Sequence, residues 1–416
     1  MFARCCYAIA FLFSSLTIVN SAVAETAFRP MRGISMDLWV TWPAPETWNE
    51  PKVYKAFPEW RKFVSDDELT LIKRAGLDTV RLPIEPAFLL YDDDPERLGV
   101  ITAGIKIAID RLIAEDFNVI VDFHTISRDH PQAAGTEQII DDPATFDTYI
   151  DLVGFIAAQL RHYPQNKLAL ELLNEPTHDC DQRSEQALWQ NQTKQLYKAV
   201  RNVSPERWII LSGACWGSAD GLAAMSPSDF GPHTIWSFHA YDPFAITHQG
   251  AQWTGDLTAH LSQIPYPPYL LDDAELSETV SANVDAIRRG ATRENQRDAI
   301  GMLRGNLGDA NTPRKLDAFL RRSFEKVAQW ADRHAIERSR IFLGEFGMIG
   351  REYGTDLDVP DAWRITYMRD MITLAEEYDY AWSVWSFGGA FGLVQAYGGE
   401  TLERPLVEAL TRSPLN

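Results

Sequence analysis

Eight short apolar runs recur along this chain, separated by amphipathic stretches. They are Met31–Met36, Thr79–Pro83, Val119–His124, Leu168–Asn174, Trp208–Ser212, Ile235–His239, Ile341–Glu345 and Ala381–Phe387. Such runs are too short for buried helices and are nearly continuous in hydrophobicity, the pattern of strands covered on both faces. Between them, Ile105–Ile113, Phe146–Leu160, Leu188–Val200, Leu316–Ala331 and Trp363–Ala375 repeat their apolar positions with the 3.6-residue period of a helix. Ser65 with Glu68 forms a capping box, and the helix it opens is expected to stop at Gly76. Eight buried strands alternating with helices predict an α/β fold, a single closed (β/α)₈ barrel of parallel strands. An open nucleotide-binding sheet is the competing arrangement. It is disfavoured because no strand leads into a Gly-x-Gly-x-x-Gly turn or a P-loop.

The polar residues within these runs cluster at their C-terminal ends: Arg81, His124, Asn174, Glu175, His239 and Glu345. That is the end of a barrel where catalytic groups gather. The stretch from Tyr241 to Ile341 is long for one barrel connection. It is expected to be an insertion between strands six and seven on the active-site side, with a polar helix near Arg293–Leu307. It lacks the apolar periodicity to build a second core.

Composition narrows the partners. The chain has 416 residues, 45% hydrophobic and 23% charged, with a formal net charge of -19. Such an acidic chain is repelled by phosphate backbones and anionic lipid, so neither nucleic acid nor a membrane surface is an expected partner. The N-terminus reads as an export signal over 1–24. Arg4 precedes the apolar stretch Tyr7–Val19, and Ala22-Val23-Ala24 offers a small-x-small cleavage site. The catalytic domain then occupies 25–416, secreted or periplasmic and without a membrane span. Cys5 and Cys6 fall within the signal. Cys180 and Cys215 remain, an even pair compatible with a disulfide in an exported protein. They are too few for a metal site, which needs three or four ligands.

Two glutamates carry the chemistry. Glu175 follows Asn174 and precedes Pro176, which ends the strand and leaves the acid at the barrel mouth. Glu345 interrupts an apolar strand between Gly344 and Phe346, where an unpaired carboxylate would be costly; Arg81 is the natural partner. Two carboxylates facing one another across a cleft are what glycosidic cleavage requires.

This constellation resembles glycoside hydrolase family 5, the cellulase-like family of retaining barrel enzymes. The resemblance rests on Asn174-Glu175-Pro176, on Glu345, on Arg81 before Leu82-Pro83, on His124 two residues after Asp122, on His239 with Tyr241, and on Trp385. It implies Glu175 as acid/base and Glu345 as nucleophile. Arg81 and Tyr241 would bind Glu345. Asn174 would take the sugar 2-hydroxyl, His124 and His239 would serve as hydrogen-bond partners, and Trp385 would face a pyranose ring. It implies no metal or organic cofactor, and a polysaccharide or oligosaccharide substrate. The most favoured is a β-1,4-glucan, with β-mannan and β-1,3-glucan as alternatives. A non-catalytic carbohydrate-binding barrel is the alternative of another class. Of the thirteen tryptophans, Trp39, Trp42, Trp48, Trp216 and Trp253 are divided between sugar platform and packing, whereas Trp208 and Trp236 belong to the core. If the family geometry holds, the two carboxyl groups lie about 5 to 5.5 Å apart.

Overall fold

The computed structural model describes residues 27–37, 39–40, 64–86, 90, 95–125, 135–395 and 401–411. The expected export signal, Trp42 and Trp48 lie outside them. Eight parallel strands close into one barrel in chain order, β1 (Arg32–Ser35) to β8 (Ala381–Val384), with β8 pairing back onto β1. The others are β2 (Thr79–Ile84), β3 (Asn118–Phe123), β4 (Leu168–Glu171), β5 (Trp208–Ser212), β6 (Thr234–His239) and β7 (Ile341–Phe346). Every apolar run named above carries one of these strands. The longer runs overshoot: His124, Asn174 and Trp385 lie just past their strands, where the backbone turns into the loops.

The helices wrap the outside. Among the described residues they include α1 (Asp66–Arg74), α2 (Pro95–Ala114), α3 (Pro143–Leu160), α4 (Arg183–Val203), α5 (Ala219–Ala224), α6 (Asp273–Gly290), α7 (Gln296–Ala310), α8 (Pro313–Arg333) and α9 (Asp361–Glu377), with shorter helical turns between them. Local signals set their ends. Ser65 and Glu68 form the reciprocal capping box of α1, and Gly76 takes the left-handed φ of +80° beyond its end. Helices α6 and α7 belong to the long connection between β6 and β7. They join the main core through Val284, Ile287, Leu303 and Leu307, so the connection is an insertion on the barrel. Among the described residues, no helix is long and apolar enough to cross a membrane.

Strand alternation divides the barrel interior into two layers. Ile120, Ala169, Ile210, Ile235, Phe342 and Ala381 form a separate apolar cluster with Trp208 and Phe28. Two residues further along each of these six strands, on the same face, stand Asp122, Glu171, Ser212, Ser237, Gly344 and Ser383. The barrel is therefore oily below and polar above. In β7 the pairing with β6 slips: Phe238 opposes Leu343, but His239 opposes Glu345. Gly344 is the extra residue of this bulge, which brings Glu345 level with His239. A side chain does not fit there, because a Cβ on Gly344 would lie 2.5 Å from Ser237 Oγ and 3.0 Å from His239 Nε2.

Gly344→Ala should therefore destabilise the fold by about 1–3 kcal/mol and depress turnover by shifting Glu345. Chemical denaturation and kcat measured together test this; a variant with wild-type stability and kcat would show that the bulge does not depend on glycine.

Candidate active site

The polar upper layer converges on Arg81, fully buried on β2. Its Nε donates to Glu171 Oε2 at 2.7 Å, Nη1 to Glu345 Oε1 at 2.5 Å, and Nη2 to Asn174 Oδ1 at 2.8 Å. Nη2 also lies 2.9 Å from Asp122 Oδ2. One guanidinium thus links β2, β3, β4 and β7. A planar fork of five N–H donors suits this task, which a point-charge ammonium cannot perform.

Glu345 is held at both oxygens, since Tyr241 donates to Oε2 at 2.9 Å. Burial favours its protonated form, but His239, Arg81, His124 and the Tyr241 hydroxyl outweigh burial and bring it down to about 2. Burial, with Glu345 and Glu175 nearby, pushes the Tyr241 phenol well above its ordinary value, so it remains a donor. His239 donates through Nδ1 to Glu175 Oε1 at 2.8 Å, and the same nitrogen lies 3.7 Å from Glu345 Oε2. His124 donates through Nδ1 to Asp122 Oδ2 at 2.9 Å and stacks on Trp385, with ring centres 5.1 Å apart. Burial works against charge on both imidazoles. Glu345 and Glu175 around His239, and Asp122 and Glu345 around His124, raise them above the usual histidine value nonetheless.

Glu175, Glu345 and His239 offer oxygen and nitrogen atoms that all lie within 4.8 Å of one another. Asp122, His124 and Glu345 do the same. Either triplet has the residue types to hold a cation. In both, however, the imidazole Nδ1 donates a proton to a carboxylate where a metal would need its lone pair, and Arg81 occupies Glu345 Oε1. The arrangement favours proton transfer. It sets a half-buried carboxyl, Glu175, opposite a buried, ionised one.

The structure brings together all eight residues expected at the site: Arg81, His124, Asn174, Glu175, His239, Tyr241, Glu345 and Trp385. It also joins Cys180 to Cys215 by a disulfide, with Cα atoms 5.5 Å apart. Asp122 and Glu171 are additional members. Each interrupts an otherwise apolar strand, the same signal that picked out Glu345. A cleft of about 710 Å³ opens beside Glu175, His239 and Tyr241. Its walls include Trp216 from the loop after β5, and Phe244, His248 and Trp253 from the insertion. Trp216 and Trp253 are 59% and 56% exposed, whereas Trp39, Trp208 and Trp236 are buried packing. His248 is buried, which lowers it to about 3 and keeps it neutral. Thr247 Oγ1 donates to the Tyr241 carbonyl and so accepts from His248 Nδ1. Nε2 of His248 is then the acceptor. No strand signal marks these insertion residues.

The family model described as cellulase (glycosyl hydrolase family 5) matches residues 39–391. Endoglucanase C of Acetivibrio thermocellus is 25% identical over 330 residues, covering 78% of this chain and 84% of that protein. Cellulose synthase subunit Z (CcsZ) from Clostridioides difficile has a similar fold, with a TM-score of 0.62 at 24% identity, covering 92% of this chain and 99% of that one. Thermotoga maritima Cel5A, solved with mannotriose, gives a TM-score of 0.62 at 21% identity, covering 93% and 99%.

Two predictions follow from the buried charges. Arg81→Met leaves three carboxylates without their counter-ion and should cost about 3–5 kcal/mol of stability in a urea titration; a loss below about 1 kcal/mol would contradict the central role of the pair. Stability should also peak on the acid side of neutrality. Glu345 is lowered, so its contribution is present above its ordinary value of 4.5 and is lost as pH falls toward about 2. His124 and His239 are raised, so theirs is present below 6.5 and is lost as pH rises through their folded values. Glu171, raised by burial, acts in the same direction as the histidines. Thermal midpoints across pH test this, and a midpoint climbing steadily above pH 7 would contradict it.

Proposed function

The chain belongs to the cellulase family, glycosyl hydrolase family 5, and from that premise we propose an exported, retaining endo-β-1,4-glucanase in which Glu345 is the nucleophile and Glu175 the acid/base. It is a glycoside hydrolase by its family. The observation that carries the mechanism is the spacing of the two glutamates. One oxygen of each lies within 4.8 Å of one oxygen of the other, which supports the close carboxyl pair of double displacement over the wider gap of inversion.

Each group supports one step. Glu345, ionised and aimed by Arg81 and Tyr241, attacks the anomeric carbon as Glu175 passes its proton to the departing glycosidic oxygen. The carbon–oxygen bond to the leaving sugar breaks and a glycosyl ester on Glu345 forms. Glu175, now a carboxylate, takes a proton from water, whose oxygen attacks the same carbon and releases Glu345. His239 holds Glu175 in direction through both steps. Asn174, fixed by Arg81, is available to the sugar 2-hydroxyl, and Trp385, braced by His124, offers its face to the ring. The endoglucanase relatives support a β-1,4-glucan, and exposed tryptophans on the cleft walls suit a polymer of neutral pyranose rings. The disulfide supports export, because such bonds persist in oxidising compartments.

Reducing-sugar release on β-1,4-glucan, β-1,4-mannan and β-1,3-glucan tests the substrate, with the first expected fastest; no release from any of the three would favour a non-catalytic binder. Glu345→Ala should abolish turnover, and Glu175→Ala should lower it by about 10²–10⁴-fold on unactivated glucan. Undiminished hydrolysis by either variant, or an initial product of inverted anomeric configuration, would overturn the assignment.

A further inference from the structure

The loop after β4, which carries Glu175, and the loop after β5 share an unusual backbone. Glu175 has φ +47°, Cys215 has φ +51° and Trp216 has φ +54°, with Gly217 following at +67°. Three of these four are residues with a Cβ in the left-handed region, which brings that atom too close to the following carbonyl oxygen. Such conformations persist only where the surroundings over-determine them. Here the surroundings are the two loops themselves. Cys215 N–H donates to the His178 carbonyl and Trp216 N–H to the Pro176 carbonyl, both at 2.9 Å. The Cys180–Cys215 disulfide closes the same clasp covalently. The β4 side is anchored in turn. His178 is buried, and its two ring nitrogens face Glu185 Oε2 at 2.9 Å and Gln192 Oε1 at 2.8 Å on α4.

The strained turn has a consequence in the cleft. It presents the Trp216 indole to solvent in the cleft that Glu175 and Trp253 also line. Glu175 lines this cleft, and Glu345 does not. The cleft is therefore on the side of the proton donor, where the leaving sugar departs.

We propose that the Cys180–Cys215 disulfide is a positioning element of the glycosidase. It clamps the left-handed turn Cys215–Gly217 onto the Glu175 loop, so that Trp216 stacks on the leaving sugar in register with the proton from Glu175. This rests on Glu175 being the acid. A disulfide that only stabilised the fold would affect all substrates alike. A positioning clasp affects those that need both a proton and a leaving-side sugar.

The test compares two substrates on the full, oxidised chain and on its Cys180→Ser/Cys215→Ser variant. A cello-oligosaccharide needs the acid and the leaving-side wall. 2,4-Dinitrophenyl cellobioside carries a leaving group acidic enough to depart unprotonated. The variant should lose kcat/KM on the oligosaccharide by about tenfold more than on the aryl glycoside, a fraction of what general acid catalysis contributes. Trp216→Ala should show the same selectivity, mainly through KM. Cys180→Ala/Cys215→Gly, where the left-handed turn costs no steric clash, should recover most of it and remains informative if the serine variant does not fold. Equal losses on both substrates, or none, would overturn the proposal. A wild-type chain inert toward both substrates would instead overturn the glycosidase reading.

Discussion

A single buried guanidinium is the constraint on which the upper half of this barrel depends. Arg81 is fully buried and faces Glu171, Glu345 and Asp122 from three other strands and Asn174 just past β4. Burying that charge alone would be prohibitive. Burying it within a ring of carboxylates makes each partner a condition of the others. Strand order, register and the bulge at Gly344 all serve this arrangement, since a shift of one residue on any of the four strands would turn its partner out of the ring. The specificity has a cost, because three acids surround one arginine. His124 and His239 offset the excess by holding protons more firmly than ordinary histidines.

The same ring sets the chemistry. A carboxylate gripped at both oxygens and surrounded by cations stays ionised and keeps one direction, which is what a nucleophile in a preorganised site requires. Glu175 lies outside the ring, half-buried, with one hydrogen bond to His239. The two acids therefore differ by environment and not by residue type, and their separate roles on the proposed reading follow from that difference. The cleft opens on Glu175's side, and its walls come from the insertion between β6 and β7 and from the loop after β5. Strand β7 carries Glu345 and the loop just past β4 carries Glu175, while the longer loops shape what reaches them.

Much of this was legible in the chain. A strand inside a barrel is apolar on both faces, so the eight runs stood out. An acid at the end of such a run has few reasons to be there, so Glu175 and Glu345 were found directly. Asp122 and Glu171 obey the same logic from within their runs, yet they are silent partners of Arg81 and match no expected role. The insertion was visible only as a length. That His248 would be a buried neutral acceptor, or that Trp216 and Trp253 would line the cleft while Trp39 packed, depends on contacts between segments far apart in sequence.

Sequence by itself determined the strand count, the parallel barrel and the polar residues at the strand ends, because short-range hydrophobic periodicity and residue type are local properties; Tyr241 and Trp385 joined them only through the family resemblance. Only the tertiary structure decided which carboxylates share Arg81, that the two glutamate oxygens lie within 4.8 Å of one another, and which tryptophans face the cleft. The physical reason is barrel closure. Bringing β2, β3, β4 and β7 onto one guanidinium fixes distances among residues as far apart as Arg81 and Glu345, and no local pattern encodes such distances.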